Sequence, residues 1–492
     1  MPIDSVHPLY SASKNDWVSL RDQYLGENQV KSKGVEYLPA TQGMELDGMN
    51  NPNQLGFKAY EAYKKRAVFH EYVKQAVESY LGLLFKKPPT IQLPSVMEPL
   101  RKSCTPTGES LLLLLRRIYE EQLLVGRVGL LADLPTNPDP AAPMPYITLY
   151  VAEAIRNWDD ATFEEGSTRL NLVVLDETGF RRKEDFEWVV ITKYRVLQLG
   201  ELDANEFSQT YLQGVFINDV GSLAVYNPLE MKPPMVRGQP LQKIPFVFIN
   251  SKDIVATPDV PPLKGLGAIS LAIYRGEADY RQNLFMQGQD TLVVIGDVLN
   301  KDPTQEDTLR TGAGSRINLE QGGDAKYIGI DSKGLEEQRQ ALENDKKLAE
   351  SLSAQLVNST GQVESGVALE TRVGAQTASL MQIAQTGAAG LEKVLKHIAE
   401  WIGANPEEVV VTPNTEFAST EFKADDIVKL MTARQLGAPL SKESIHNVLA
   451  DKGLTKLDFE TEMDKITEED ANSNTTGTGA GGNPAQQTGP QG

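Results

Sequence analysis

Positive charge, cysteine and long apolar runs are all scarce in this chain, and each scarcity closes off a class of function. Lys and Arg number 48 against 67 Asp and Glu, a formal net charge of −19. Proteins that grip nucleic acid through phosphates need cations to displace counterions, so the overall balance excludes a conventional DNA-binding protein. Cys104 is the only cysteine, so no internal disulfide can form. A reducing cytoplasm fits that usage, and with no base supplied to it the thiol is expected to be structural. The longest purely apolar run is Leu111–Leu115, far short of the ~20 residues a membrane span needs. Met1-Pro2-Ile3-Asp4 lacks the basic start and apolar stretch of a signal peptide.

Catalytic patterns are missing as well. His7, His70, His397 and His446 are far apart, with no metal-ligand spacing around any of them. No nucleophile elbow, H-E-x-x-H helix or dinucleotide fingerprint occurs. Gly312-Ala313-Gly314 lacks the Lys-Ser/Thr that follows a phosphate loop and reads as a flexible turn. Adjacent acids such as Glu336-Glu337 and Asp425-Asp426 are expected by chance among 67 carboxylates, and neighbours on a helix do not share a face. No catalytic centre, cofactor or metal site is expected.

What is present reads as a soluble globular protein, 40% hydrophobic and 23% charged. At 492 residues it exceeds what one core usually serves, so two to four sub-domains are expected. Residues 1–55 read as an extended arm with one short helix, Ser13–Tyr24, either wrapping a neighbouring subunit or locally disordered. Apolar residues at three- and four-residue steps predict a helix over Phe57–Phe85, stopped by Pro88-Pro89, and another over Gly108–Gly126. Arg127–Asp133 reads as a buried strand and Pro135–Pro145 as a loop. The period then shifts toward two, predicting strands over Asn171–Asp176, Glu187–Val196, Ser208–Phe216 and Phe246–Phe248. Asp176-Glu177-Thr178-Gly179 reads as a hairpin turn between two of them.

From Leu263 the pattern changes again. A helix over Leu263–Gly288 leads to an insert with strands near Thr291–Ile295, Ser315–Leu319 and Lys326–Ile330. A second helix spans Leu335–Asn358, where Leu335, Leu342, Ala349 and Leu356 recur at seven-residue steps. Gln338 and Asp345 make that stripe partly polar, which suits a helix packed against copies of itself in a ring, or an ordinary surface helix. A loop follows at Thr360–Ala368, then a third long helix over Leu369–Gly403 with a continuous apolar face. Gly374, Gly387 and Gly390 lie inside that helix, each costing ~1 kcal/mol relative to Ala, so a kink or a close contact is expected there. Near the C-terminus Lys423–Leu436, Lys442–Lys452 and Phe459–Ile466 read as helices. Gly437 stops the first, and Ser441 with Ser444 caps the second. Residues 471–492 are almost without apolar side chains and are expected to be disordered.

Two helices carrying a small β insert, then a loop, then a long helix, resemble the stem, clip, tunnel loop and spine of a tailed-phage portal protein. Particular stretches are similar to a portal subfamily of bacterial phages and prophages. At the stem these are Pro261-Pro262-Leu263, Leu271–Gln282, Phe285-Met286-Gln287-Gly288-Gln289 and Leu292-Val293-Val294. Glu370-Thr371, Leu380, Leu391 and Ala399–Gly403 resemble the spine, and Ala433–Glu443 the crown. The resemblance runs from about Tyr60 to Lys465 and rests on several matches in the right order.

That resemblance implies an α+β portal fold. Its parts would be an N-terminal arm and wing at 1–262, stem helices at 263–289 and 335–358, and a β-rich clip at 290–334. A tunnel loop at 359–368, a kinked spine helix returning to the wing at 369–418, a helical crown at 419–470 and a disordered tail at 471–492 would complete it. It also implies a homo-oligomeric ring of about twelve subunits at one capsid vertex of the virion, closed by heterologous side-to-side contacts and assembled in the host bacterial cytoplasm. The implied partners are the major capsid protein or scaffold, the terminase large subunit and head–tail adaptor or tail proteins. Double-stranded DNA would pass through without sequence specificity, no membrane would be involved, and the terminase would hydrolyse the ATP.

Residue by residue, the resemblance puts Gln362, Val363, Glu364, Ser365 and Val367 in the DNA channel, hinged at Gly361 and Gly366. With no Lys or Arg there, contact would be steric or weakly polar and compatible with sliding; a plain helix connector is the simpler alternative. Gly387 and Gly390 would mark the spine bend. Arg310, Arg316, Lys326 and Lys333 would form a clip surface for partners, although residues 290–333 hold eight acids to five bases. Open clip strand edges could pair between subunits. The competing readings are another virion ring, adaptor or scaffold-type protein, and an enzyme with a metal held by scattered carboxylates.

Overall fold

The computed structural model describes residues 3–135, 144–160, 169–201, 209–218, 226–236, 238–287, 291–295, 321–328, 334–354, 366–417, 424–437, 439–451 and 454–475. Helices and antiparallel strands both contribute, the mixed α and β class expected. The chain divides into two compact units, residues 1–417 and 418–492.

The first unit opens with α1 (Pro8–Leu25), α2 (Glu27–Ser32), α3 (Gln42–Leu46), α4 (Leu55–Arg66) and α5 (Tyr72–Leu84). After β1 (Thr90–Gln92) come α6 (Glu98–Lys102), α7 (Leu111–Leu124), β2 (Arg127–Asp133), β3 (Tyr146–Val151) and β4 (Ile155–Asp159). The strands β5 (Leu172–Asp176), β6 (Gly179–Arg182), β7 (Trp188–Glu201), β8 (Gln209–Asn218), β9 (Met235–Val236), β10 (Gln239–Pro240) and β11 (Phe246–Asn250) follow. Then come α8 (Lys264–Gln287), β12 (Thr291–Ile295), β13 (Asp324–Ile328), α9 (Leu335–Ala354), α10 (Gly366–Ile402) and β14 (Val410–Thr412).

The main core forms where α7 and α10 meet the three-stranded sheet β11-β2-β3. Helix α7 starts because Ser110 caps it, its hydroxyl accepting from the Leu113 N–H at 3.3 Å. Leu111, Leu114, Leu115 and Ile118 then fall on one buried face. Every residue of β2 is buried, as a central strand covered on both faces requires. On α10, Leu380, Ile383, Leu391, Val394, Leu395 and Ile398 form the buried stripe.

Three expectations are corrected by packing between distant segments. The N-terminal arm is not extended: Trp17 and Leu20 of α1 join the main core, while Val30, Tyr37 and Leu38 join a second cluster. Arg21 holds α1 down, its guanidinium lying between the carboxylates of Glu121 (2.7 Å) and Glu153. The helix expected over Phe57–Phe85 is broken at Ala67, whose ψ of 142° ends α4. No Gly or Pro causes the break. Burial of Ala67 and Phe69 does, with Phe69 set edge-on to Tyr274 of α8 at 5.9 Å.

The third correction concerns the hairpin. Leu172 lies opposite Gln198, Asp176 opposite Tyr194, Gly179 opposite Ile191 and Arg182 opposite Trp188. Register is therefore unbroken from β5 through β6, and the Glu177 N–H keeps the ladder by donating to Lys193 O at 2.8 Å. The chain reverses later, at Lys183–Glu187, where the Lys183 N–H donates to Glu187 O at 2.8 Å. Near the body, Val174, Tyr194, Val196 and Phe216 on one face of this sheet are buried with Ile3. Farther out on that face Phe180, Trp188 and Val190 are exposed, as is Phe186 in the turn.

His397 on α10 provides a measurable handle on the main core. Burial, with the Lys243 and Lys393 ammonium groups adding to it, pushes its pKa down to about 3 from 6.5. A group depressed in the folded state contributes stability that is complete above its unfolded pKa and lost as pH falls through the folded value. Wild-type stability, followed by denaturant titration, is thus expected to fall between pH 6.5 and about 3. His397→Leu should flatten that profile; an unchanged slope would assign the acid lability elsewhere.

The second unit is built from α11 (Ala424–Gln435), α12 (Lys442–Asp451) and α13 (Phe459–Thr475). Gly437, at φ +99°, follows the end of α11, and Ser441 caps α12 by accepting from the Ser444 N–H at 2.9 Å. Helix α13 runs to Thr475, beyond the expected end at Ile466 and into the stretch expected to be disordered.

Candidate functional site

Helices α8 and α9 pack antiparallel as a stalk. The root of α8 is fixed twice: Leu263 and Leu266 lie in the main core, and Tyr274 and Ala278 in the second cluster. Gly276 lets α9 come close, since a Cβ there would sit 2.8 Å from Leu342 Cδ2. Buried in this seam, Glu277 gathers two cations, Lys346 Nζ at 2.6 Å from α9 and Arg281 Nε at 2.7 Å from α8 itself, with the His70 ring nitrogen Nε2 3.6 Å away. Burial alone would raise the Glu277 pKa, but hydrogen bonds from Lys346 and Arg281 outweigh it and lower the value. The polar position Gln338 accepts a hydrogen bond from Asn283 Nδ2 across the seam at 3.0 Å. A polar residue in the stripe therefore records pairing between the two stalk helices of one chain.

Beyond its root the stalk is more exposed. Leu284, Phe285 and Met286 are exposed at the far end of α8, where Arg66 lies over the Phe285 ring at 4.1 Å. The stalk carries β12 and β13 as an antiparallel pair, from Thr291 opposite Ile328 to Ile295 opposite Asp324. Strand β13 begins two residues before the expected Lys326 start. Lys326, of the expected partner surface, is exposed and pairs with Asp324 at 3.0 Å. Arg310, Arg316 and Lys333 lie outside the described residues, as does the strand expected over Ser315–Leu319.

Gly361, Gln362, Val363, Glu364 and Ser365 also lie outside the described residues. Gly366 and Val367 do not belong to a loop: α10 begins at Gly366, three residues earlier than expected. From there the helix is continuous to Ile402, through Gly387 and Gly390. Both glycines sit at close contacts. A Cβ on Gly387 would lie 2.5 Å from Tyr119 Cε1 and Gln122 Oε1 of α7, and one on Gly390 would overlap Ile249 of β11. Buried polar groups complete the clamp: Gln122 Nε2 donates to Asn250 O (2.7 Å) and Thr386 Oγ1 (2.8 Å), and the Tyr119 hydroxyl to Ala384 O (3.2 Å). Sequence reasoning missed Gln122 and Asn250; a glutamine inside an apolar helix stripe was the one signal available.

Chemically, a doubly rooted stalk with an apolar far end and a β tip can present surface to other chains. Among the described residues no group of three or more His, Cys, Asp or Glu could hold a metal ion. No helix among them is long and apolar enough to cross a membrane. The Cys104 thiol is buried, donates to Glu109 O at 3.2 Å, and is pushed up to about 12 by that burial.

Residues 262–402, from just before α8 to the end of α10, match a family described as a domain of unknown function, DUF4055. No curated protein matches the chain. Among solved structures, the chain is similar to one described as "Neck of empty GTA particle computed with C6 symmetry", at 14% identity over 77% of this chain and 90% of that one, with a TM-score of 0.38. A second, "Virion of native gene transfer agent (GTA) particle", shares 14% identity over 79% of this chain and 92% of that one, with a TM-score of 0.38. A third, "Neck of native GTA particle computed with C12 symmetry", shares 14% identity over 77% and 89%, with a TM-score of 0.36. Likeness at that level is too remote to assign a role.

Proposed function

We propose that this chain is a portal-type subunit of a tailed phage or phage-like particle, forming a ring at one capsid vertex. One observation carries the reading: an antiparallel helix pair carries two paired antiparallel strands and is followed along the chain by a 37-residue helix whose stretch from Leu380 to Ile402 packs into the body. The stalk would be the stem, β12–β13 the clip and α10 the spine. The ring would conduct double-stranded DNA in packaging and ejection, and its clip would dock the terminase and later the head-completion or tail proteins. It would hydrolyse nothing itself. A net charge of −19 suits a conduit that must not hold phosphates, and residues 361–365 would meet the DNA without a single cation.

Particle size tests this reading. About twelve chains of 54.0 kDa closing on themselves would give a ring of roughly 650 kDa with a central hole, seen by light scattering and negative-stain imaging. Monomers that persist after scaffold and capsid protein are added would sink it.

A further inference from the structure

The described residues of the C-terminal unit bury little apolar surface. Ile445 is its only buried apolar side chain among the described residues. Met431, Leu449, Phe459, Met463 and Ile466 instead wall an open cleft with Ile445, about 330 Å³ in volume. That is too small for a whole helix, but it can take the few anchor side chains that an amphipathic helix presents from one face.

Charge at the cleft runs against its surroundings. Between Ala424 and Thr475 there are eleven acids and six bases. The cleft, however, is lined by two cations, Arg434 and Lys442, against a single acid, Glu462. Arg434 and Lys442 have no ion-pair partner among the described residues, whereas Glu462 is engaged, accepting from Thr455 Oγ1 at 2.9 Å. His446 stands edge-on to Phe459 at 5.5 Å, and neither of its shielded ring nitrogens has a hydrogen-bond partner. Two unpaired cations beside an apolar trough are complementary to a carboxylate-flanked apolar stripe.

We propose that this cleft binds an amphipathic α-helix of another protein, one whose apolar anchors are flanked by Asp or Glu. The walls are α11, α12, α13 and the stretch Leu454–Thr455, with no strand edge among the described residues, so recognition is by helix in groove rather than by strand addition. The inference concerns the second unit by itself and holds whether or not the chains close a ring.

The test uses the full-length chain and two fluorescein-labelled peptides of about five helical turns. Both carry the same leucine stripe, flanked by Glu in one and by Lys in the other, and binding is followed by anisotropy. The Glu peptide is expected to bind saturably and more weakly as salt rises. R434E/K442E should weaken it at least about tenfold and transfer binding to the Lys peptide. Met463→Lys should abolish both. Equal binding of the two peptides by wild type, or Glu-peptide binding that survives the charge reversal, would overturn the proposal. So would self-association of the chain that Met463→Lys abolishes without any peptide having bound, since a second copy would then fill the cleft.

Discussion

Valine in place of Gly390 is expected to destabilise the first unit by about 2–3 kcal/mol, because its Cβ overlaps the fully buried Ile249 side chain of β11. The opposite sign follows if the glycine exists to bend α10, since a non-glycine residue would then improve helix propensity by up to ~1 kcal/mol. Gly82 supplies the control. It lies inside α5, and a Cβ added there would meet nothing within 4 Å, so Gly82→Ala should stabilise by about 0.5–1 kcal/mol. Denaturant unfolding of Gly390→Val, Ile249→Ala and the double variant makes the contact quantitative. The pair should be coupled by more than about 1 kcal/mol, the double variant being more stable than the sum of its parts predicts. Additive losses would show that α10 and β11 do not touch at this point.

The second large effect is at Arg21. Its guanidinium is the only cation paired with the Glu121 and Glu153 carboxylates among the described residues, with side-chain exposures of 26%, 11% and 19%. Arg21→Ala leaves two poorly solvated carboxylates together, a loss of about 3–5 kcal/mol at neutral pH. Its pH dependence has a definite sign. Burial already raises the Glu121 pKa above 4.5, with Arg21 opposing the rise, so removing the arginine raises it further. A carboxylate raised in the folded state costs nothing below its unfolded pKa, and the cost grows as pH rises through the folded one. The deficit of Arg21→Ala against wild type should therefore shrink as pH is lowered from 7 toward about 4.5, and adding Glu121→Gln should recover part of it. A deficit independent of pH would assign the loss to packing of the arginine stem.

These two sites also mark where the sequence stopped being readable. Strand β2 was legible to the residue because an apolar run beside Gly126 and Pro135 needs no partner to be recognised. Helices α7 and α12 announced themselves by stripe and cap. The break between α4 and α5 did not, since Ala67–Glu71 contains no helix breaker and is held open by Tyr274, some two hundred residues away. Asp176–Gly179 has turn composition, yet the backbone there stays in register with β7, because a strand interrupted locally can still satisfy the ladder. The polar composition of residues 1–55 concealed Trp17, Leu20, Val30 and Leu38, each buried. In the stalk, the seven-residue leucine spacing was visible, but the Glu277–Lys346 pair joining the two helices was not, since nothing local links positions 277 and 346.

The double root of α8 has a mechanical consequence. A 24-residue helix is about 36 Å long, and its first fifteen residues are gripped by two separate hydrophobic clusters. The remainder is held more lightly, with Arg66 of α4 reaching Gln282 and the Phe285 ring. A sideways load on the far end of α8 arrives as torque on the fixed end. Residues 30–69 build much of the socket around that end, so deleting them would remove the bearing in which the lever is seated.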